Sequence, residues 1–566
     1  MKEPEDQRKR KVLVIGLDAA TFDIVKPLMK KGRLPNLSRL CRNGVCGELR
    51  TTIPPLSPVA WTTFATGKNA GKHGIFSFTE QKPESYGIRF VNARSRKAKP
   101  LWSILSDYGM KVGVINMPIT YPPDEVNGFM ISGMDAPGRK SPFTYPYDLK
   151  DDLLKKFDYE IDYSFLGANL MKKGDKILRN LLEVEKKRVS AAKYLMDIYD
   201  WDFFFIVMVA LDRTQHFFWH CMEPSHPRYH EDGADKFRNA IYNMYERMDG
   251  LVGSLIESVD AKTTIFLMSD HGAGPFEDAV PFLNLNDWLH KEGYLSLKRE
   301  QNSLKSLLIG SREFLRKNIP SRTKDWLKAV MPAFREVFQS HVFFSAIKWS
   351  DTKAYAAFDE FMARGIRINL RSREPEGVVE PGKEYEQLRN EIVDKISRFR
   401  HPVTLEPVVS GVFRREELHS GDFLHMAPDI VIEWNDKAFF TGKNARGRES
   451  SPEKEHFRMT DILRSGEHRP NGIMMAEGPF IAKARSTSKA HIMDLVPTIL
   501  YLMDLPVPSD MDGNVLTQIF QESFVRNNPP RHRTVGKGKN LVVEETYTDK
   551  EEKKIEKRLK KLGYLD

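Results

Sequence analysis

The sequence contains six acidic and histidine side chains whose types and positions suit metal binding. They are Asp18, Asp212, His216, Asp270, His271 and His468. A mixed set of carboxylate oxygens and imidazole nitrogens favours zinc, manganese or iron over magnesium and calcium. Six ligands are too many for one tetrahedral zinc ion, whereas two ions about 4 Å apart would use them all and would suit displacement at phosphorus. We therefore predict two divalent metal ions, with Zn as the first expectation and Mn as the alternative.

A serine at the start of a predicted helix is the candidate nucleophile. Ser57 is followed by Pro58, by an apolar and threonine-rich stretch, and then by Gly67. This pattern predicts a helix with serine at the N-cap, proline at the first helical position and glycine just past the end. Its N-terminus would favour a bound phosphate and a developing alkoxide. On this segment alone a plain capping serine remains the alternative, just as strand-end aspartates can merely cap turns.

The three aspartates each follow an apolar run that is predicted to be a buried parallel strand. These runs are Val12 to Leu17, Phe203 to Leu211 and Thr264 to Ser269. Further candidate strands are Lys111 to Asn116, Gly365 to Leu370, Asp429 to Trp434 and Gly472 to Ala476, with helical stretches at Phe22 to Lys31 and Leu178 to Tyr199. The pattern predicts an α/β, doubly wound, mostly parallel sheet with helices on both faces. Ligands of such sheets gather at the carboxyl ends of the strands, where the aspartates could share one site.

The strand pattern lapses in two places, and these set the predicted domain organisation. Residues 1–285 and 351–525 are predicted to form the two parts of the core, with an inserted helical cap at 286–350 and a charged C-terminal tail at 526–566. The insertion is rich in basic residues and predicts amphipathic helices that fold over the site, with either a solvated face or a membrane-binding face. The tail ends in a short charged stretch, predicted as a terminal helix that is solvated or engages a partner.

The composition places the chain among ordinary globular proteins. With 41% hydrophobic and 29% charged residues, 36 Gly and 33 Pro, collagen, coiled coil and wholesale disorder are excluded. A net charge of +10 over 566 residues identifies no partner, and no specific nucleic acid is predicted. The longest apolar run, Phe203 to Leu211, is far shorter than the roughly 20 residues of a transmembrane segment. Three cysteines and an N-terminus without a secretory pattern favour a reducing, cytoplasmic location.

The order of these motifs resembles the alkaline phosphatase superfamily, specifically its type I phosphodiesterase and nucleotide pyrophosphatase branch. The resemblance runs from about Lys11 to Leu516. It is carried by Asp18, Ser57 with the downstream Ala-Thr-Gly, Asp212-x-x-x-His216, Asp270-His271-Gly, Gly-x-His468, Pro100-Leu-Trp and Asp510-Met-Asp-Gly. Secreted members carry signal sequences and many cysteines, so an extracellular role in nucleotide processing is not transferred to this chain.

The resemblance implies a role for each motif residue. One ion would be held by Asp212, His216 and His468, and the other by Asp18, Asp270, His271 and the Ser57 oxygen. Ser57 lies nine residues before Thr66, as the nucleophile does in the family, and Asn92 lies eight residues before Pro100, where some relatives place a phosphate-contacting asparagine. Thr62 and Thr63 would lie inside the helix and are poorer candidates.

The predicted function is a metal-dependent phosphodiesterase that acts on a small-molecule phosphate ester through a covalent phosphoserine. The alternatives are a phosphoryl or phospho-alcohol transferase of the same superfamily and a non-catalytic, anion-binding scaffold. A sulfatase is disfavoured because the Ser57-Pro-Val-Ala-Trp stretch lacks the arginine of the sulfatase motif. The sequence makes no prediction about the oligomeric state.

Overall fold

A computed structural model of the chain gives the fold. The structure describes residues 10–163, 165, 170–226, 228–275, 282–283, 285–298, 346–357, 364–400, 405–435, 457–458, 464–535 and 547–561. Most of the predicted helical cap at 286–350 therefore lies outside the described residues, and the four-part division of the chain stays a proposal.

A nine-stranded sheet forms the centre of the molecule. Across the sheet the strands are Arg485–His491, Val45–Arg50, Asn471–Glu477, Thr264–Met268, Val12–Leu17, Phe203–Met208, Val112–Met117, Gly128–Ser132 and Thr144–Tyr145. The five central strands from Thr264–Met268 to Gly128–Ser132 are parallel. Asn471–Glu477 is antiparallel to both of its neighbours. The sheet is mostly parallel, as predicted.

Helices cover both faces of this sheet because its central strands are apolar on both sides. In Val12–Leu17, the side chains of Leu13, Ile15 and Leu17 pack into one core and those of Val12 and Val14 into the other. Within the described residues the α-helices are Phe22–Lys30, Pro35–Asn43, Ser57–Thr66, Ala70–His73, Leu101–Asp107, Leu149–Phe157, Leu170–Ile198, Ala210–Met222, Ala240–Ile256, Leu285–Lys291, Lys383–Ser397, Arg415–Leu418, Leu495–Leu502, Glu522–Asn527 and Asp549–Lys561. The doubly wound α/β fold is thus confirmed.

Two predicted strands form, but not in the central sheet. Gly365–Ile368 and Ile430–Trp434 pair with each other and with Ala354–Ala356 and Val409–Arg414 in a separate, four-stranded antiparallel sheet. The helix Lys383–Ser397 packs on this sheet and closes a hydrophobic core of its own. A short buried strand has the same apolar pattern in either kind of sheet, so the pattern could not assign its partner.

The remaining strands form short pairs around these two sheets. Thr79–Gln81 pairs with Ile88–Phe90, Gly272–Pro275 with Gly466–Arg469, Phe282–Leu283 with Phe457–Arg458, and Val507–Pro508 with His532–Arg533. Among the described residues, no helix has the length and apolar character that crossing a membrane requires.

Cys41 and Cys46 form a disulfide at the end of the helix Pro35–Asn43, and Cys221 is free and buried. We expected no disulfide framework, and this is a single bridge between residues five apart. The pairing of two of the three cysteines nevertheless differs from the fully reduced state that the sequence favoured.

Candidate metal centre

The first group of predicted ligands meets where the strand Phe203–Met208 passes into a helix. The helix Ala210–Met222 begins two residues after the strand, so Asp212 and His216 lie one helical turn apart on the same face. The Nε2 atom of His216 is 3.0 Å from Asp212 Oδ1, and that of His468 is 3.3 Å from the same oxygen. Three potential ligand atoms, two from this helix and one from the distant residue His468, therefore surround one point.

The second group lies at the ends of the two neighbouring strands. Asp18 directly follows Val12–Leu17, and Asp270 and His271 follow Thr264–Met268. The Nε2 atom of His271 is 3.2 Å from Asp270 Oδ2 and 3.8 Å from Asp18 Oδ1. These residues are also buried and have ligand atoms within 4.8 Å of one another.

The antiparallel pair Gly272–Pro275 and Gly466–Arg469 brings the two groups together. In this pair His468 lies opposite Ala273, so a histidine from late in the chain comes beside the strand-end residues. The rings of His271 and His468 stack with centroids 3.6 Å apart. At Gly272 an added Cβ would lie 2.2 Å from the carbonyl oxygen of Asn471, so only glycine permits this close approach.

All three histidines direct the same nitrogen into the centre. The Nδ1 atoms of His216, His271 and His468 lie 2.7, 3.0 and 2.8 Å from the carbonyl oxygens of Gly466, Gly272 and Pro55. A carbonyl oxygen can only accept, so each Nδ1 carries the proton and each Nε2 presents a lone pair. This tautomer is the one that a metal-binding histidine adopts when a backbone group orients it.

The buried carboxylates also fit a site for cations. Within the described part of the chain, Asp18 Oδ1 and Asp270 Oδ2 are buried and receive no hydrogen bond. Burial and the neighbouring aspartates raise the pKa of Asp18, and burial raises the pKa of Asp270 to about 7. Burying a carboxylate oxygen that accepts no hydrogen bond is costly unless a cation neutralises it. The two groups of ligands therefore fit two divalent ions.

Ser57 lies beside the second group. It is the first residue of the helix Ser57–Thr66, and Leu56 occupies the N-cap. The helix therefore begins one residue earlier than predicted, because serine was expected at the N-cap. Its Oγ is fully buried and lies 3.2 Å from His271 Nε2. Leu56 has no side-chain cap, so the N-terminus of this helix remains available to an anion. Gly67 ends the helix with a φ of 64°, which favours glycine.

The other hydroxyl groups of this helix are engaged elsewhere. Thr62 Oγ1 donates to the carbonyl of Pro58 at 2.6 Å, and Thr63 Oγ1 is 3.0 Å from His73 Nε2. Both threonines lie inside the helix, as expected for poorer candidates, and the choice of nucleophile stays a prediction. Asn92 is buried, and its Oδ1 accepts from the backbone N–H of Arg94, so it caps a short turn. Its contact with a phosphate stays a prediction.

Two orienting residues were missed by the sequence reasoning. Arg213 is fully buried and donates from Nη1 to Asp212 Oδ2 at 2.6 Å, which leaves Oδ1 facing the two histidines. The indole N–H of Trp61 lies 3.4 Å from Asp18 Oδ2. Arg213 directly follows the predicted ligand Asp212, and Trp61 lies one helical turn after Ser57. Their positions next to predicted site residues were the features of the sequence that could have indicated them.

A cleft lies beside the N-terminus of the helix Ser57–Thr66, between this part of the chain and the four-stranded sheet. Its lining is mostly apolar and comes from Ile53, Pro54, Leu56, Val59, Phe76, Ser77, Ala357, Arg364, Gly365, His419, Pro428 and Val431. Leu56, the chain neighbour of Ser57, contributes to this lining, whereas Ser57 itself is fully buried. Arg364 is the one guanidinium in this lining, and it lies 3.9 Å from the carboxylate of Glu467, the neighbour of His468.

The fold and the site together define the class of this protein. A mostly parallel α/β sheet with paired aspartate–histidine groups at its carboxyl edge is the arrangement of the alkaline phosphatase superfamily. Within that class, the chain belongs to the type I phosphodiesterase / nucleotide pyrophosphatase family, whose model matches residues 12–459. The resemblance noted in the sequence is therefore confirmed, and the protein is a phosphoesterase of a metal-dependent class.

Solved structures are similar to this chain at low sequence identity. Human ectonucleotide pyrophosphatase / phosphodiesterase 5 is 12% identical over 92% of this chain and 99% of its own, with a TM-score of 0.49. The phosphonoacetate hydrolase of Sinorhizobium meliloti 1021, in complex with phosphonoacetate, is 13% identical over 88% of this chain and 95% of its own, with a TM-score of 0.50. A comparison with curated protein sequences finds no match.

Proposed function

We propose that the protein is a two-metal phosphodiesterase in which Ser57 is a covalent nucleophile. One observation carries this proposal: the Ser57 hydroxyl lies 3.2 Å from His271 Nε2, at the meeting point of two buried aspartate–histidine groups. Asp212, His216 and His468 would hold one ion. Asp18, Asp270, His271 and the Ser57 oxygen would hold the other, and Zn is the expected metal, with Mn as the alternative.

The bound ions would stabilise the attacking and leaving oxygens and lower the pKa of the serine hydroxyl. Ser57 Oγ would form a bond to phosphorus while the bond from phosphorus to the leaving oxygen breaks in line, giving phospho-Ser57 and an alcohol. Water would then cleave the Oγ–P bond, release the phosphate monoester and restore the hydroxyl. The first backbone N–H groups of the helix Ser57–Thr66 favour the phosphate charge in both steps.

The cleft beside Ser57 supports a substrate with an organic group on the phosphate. Its walls carry apolar side chains, among them Leu56, Phe76 and Val431, which suit carbon rather than a second phosphate oxygen. A phosphate monoester would instead need cations for its extra charge. In this lining Arg364 is already close to a carboxylate, so a diester is the proposed substrate class.

Activity and metal content test this proposal together. Purified protein should contain close to two transition-metal ions per chain and should hydrolyse bis-p-nitrophenyl phosphate faster than the monoester or a sulfate ester. Loss of activity on chelation and recovery with Zn or Mn would support it. A chain that binds two ions but acts on no ester would support the anion-binding scaffold instead, and product appearing on an added alcohol would support the transferase.

Substitution of the serine tests the covalent step. Ser57→Ala should lower turnover by several orders of magnitude, because the bond to phosphorus cannot form, while metal content stays close to two ions. Ser57→Thr keeps the hydroxyl and should retain measurable activity. A phosphorylated peptide containing Ser57, trapped by acid quench and found by mass spectrometry, would support the mechanism. A near-normal rate for Ser57→Ala would show that water attacks directly.

We also propose that the protein is cytoplasmic, on the basis of its sparse cysteines. The Cys41–Cys46 bridge is the observation that weighs against this location. Thiol alkylation of the protein in intact cells, before lysis, should label both cysteines if the compartment is reducing. Protection of both from alkylation would contradict the proposal.

A further inference from the structure

The C-terminal segment, residues 547–561, packs against the core instead of extending into solvent. Its helix Asp549–Lys561 buries Ile555 and Leu559 in a small cluster with Phe78 and Met134. The charged side chains Lys554 and Lys557 of the same helix are exposed. The strongly charged sequence had suggested a solvated or partner-binding end, and its two buried apolar residues lie four apart, on one face of the helix.

Polar contacts attach this segment to the turn formed by residues 133–136. Arg558 Nη1 donates to the carbonyl of Met134 at 3.0 Å and also to that of Ala136. Tyr547 stacks on Tyr121 with ring centroids 5.7 Å apart, and its hydroxyl donates to the carbonyl of Asp135 at 3.2 Å. Three successive carbonyls of the turn therefore accept hydrogen bonds from the C-terminal segment.

The same turn is fixed from its other side. The Asp135 carboxylate accepts from the backbone N–H groups of Ile119 and Tyr121, at 3.0 and 2.6 Å. These residues follow the core strand Val112–Met117. The turn is thus held between a core strand and the C-terminal segment, and its buried Met134 side chain has a defined position.

Met134 connects this turn to a candidate metal ligand. Its sulfur lies 3.8 Å from Arg213 Nη2, while Nη1 of the same arginine donates to Asp212 Oδ2 at 2.6 Å. Arg213 is fully buried, so displacement of Met134 would change the packing around its guanidinium. A guanidinium has a fixed planar shape, and a shift on its Nη2 side also moves Nη1. The same Nη2 also donates to Asp162 Oδ2 at 3.2 Å, so Met134 and the Asp162 carboxylate together fix this side of the guanidinium.

We propose that Arg558 and the C-terminal segment are positioning elements for the ion held by Asp212, His216 and His468. The inference rests on the metal-binding function proposed above. Arg558 holds the turn at residues 133–136, the turn supports Arg213 through Met134 beside the Asp162 carboxylate, and Arg213 orients the Asp212 carboxylate. The ion at Asp18, Asp270 and His271 does not depend on this connection.

Zinc titration calorimetry on chelator-treated, full-length protein tests the proposal without using activity. Arg558→Ala should lower the affinity for one of the two ions about 10-fold, the effect typical of residues that orient a ligand, and should leave the affinity for the other ion unchanged. Lys557→Ala removes the same charge from the exposed side of the same helix and should change neither ion.

A double-substitution cycle identifies which ion is affected. In the Asp212→Asn background, Arg558→Ala should cause no further weakening, because the dependent ion is already impaired. Equal weakening of both ions, an additive effect with Asp212→Asn, equal effects of Arg558→Ala and Lys557→Ala, or no effect at all would overturn the inference. Failure of the unchanged protein to bind any ion would instead contradict the proposed function.

Discussion

Individual side chains at the site are oriented by neighbours that bind no ion themselves. Each candidate histidine ligand donates from Nδ1 to a backbone carbonyl, and Arg213 occupies the outer oxygen of Asp212. These contacts use up one side of each ligand and leave the other side directed inward. Such partners set the tautomer and raise the basicity of the ligand, so the site is organised before an ion binds.

A buried histidine near the serine helix provides a test at the residue scale. His73 is fully buried, and burial lowers its pKa from 6.5 to about 3. Its Nδ1 accepts from the N–H of Ile75, so Nε2 carries the proton and donates to Thr63 Oγ1. A proton on Nδ1 would point at that N–H group and break the hydrogen bond. The folded state therefore favours the neutral form of His73.

The sign of the pH dependence follows from this lowered pKa. Below pH 6.5 His73 becomes protonated in the unfolded chain but not in the folded chain. The free energy of unfolding therefore decreases as the pH is lowered, until the folded-state pKa of about 3 is reached. Between about pH 7 and pH 5 the loss from this group should be about 2 kcal/mol. Urea unfolding at both values measures it, and His73→Gln should reduce the pH dependence. An unchanged dependence in that variant would contradict the assignment.

At the scale of secondary structure, the helix Ser57–Thr66 is positioned by its contact with the strand Val12–Leu17. The fully buried Trp61 of the helix packs over Gly16 of the strand. A Cβ at Gly16 would lie 2.7 Å from the Trp61 ring and 3.2 Å from the side chain of Val207. The absence of a side chain at Gly16 lets the helix approach the sheet closely and brings the Trp61 N–H toward Asp18.

Substitution of this glycine should weaken the fold. Gly16→Ala forces the indole away from the strand and should lower the free energy of unfolding by about 1–3 kcal/mol, as overpacking does in other cores. Gly250→Ala is the matched control, because a Cβ there meets no described atom within 4 Å and the residue lies in the helix Ala240–Ile256. The control should gain about 0.5–1 kcal/mol. Equal values for the two variants, measured by urea unfolding, would contradict this packing account.

At the scale of the whole molecule, the metal site joins distant parts of the chain. Its six candidate ligands come from four separate segments between Asp18 and His468. Three of these ligands are buried aspartates. Without cations these carboxylates repel one another, which is why the neighbouring aspartates contribute to the raised pKa of Asp18. Bound ions would remove that repulsion only in the folded state, so metal binding should be linked to folding.

Removal of the ions should therefore lower the melting temperature. At a free ion concentration about 100-fold above the dissociation constant, one site adds about 2.7 kcal/mol to the free energy of unfolding. Scanning calorimetry of the chelated and the reconstituted protein measures the difference, with chelator already saturated with zinc as the control. A melting temperature that does not respond to chelation would show that the ions, if bound, are not linked to the fold.

The sequence alone predicted five of the nine strands of the central sheet and the residues that the structure brings together as a candidate site. Fully apolar runs are typical of strands buried on both faces, and an aspartate after such a run must lie at the carboxyl edge of a parallel sheet. The spacing of Asp212 and His216 predicted a common helix face, which the helix Ala210–Met222 confirms. These predictions succeeded because each depends on local periodicity, which the backbone hydrogen bonds of one element determine.

Only the tertiary structure decided features that depend on contacts between distant segments. His468 was predicted as a ligand through the family resemblance, but the pairing of Gly466–Arg469 with Gly272–Pro275 that brings it to the site leaves no local pattern in the sequence. The separate four-stranded sheet and the buried face of the C-terminal helix were missed for the same reason. Apolar periodicity shows that a face is buried but not what covers it, because hydrophobic burial is non-directional and any complementary apolar surface satisfies it.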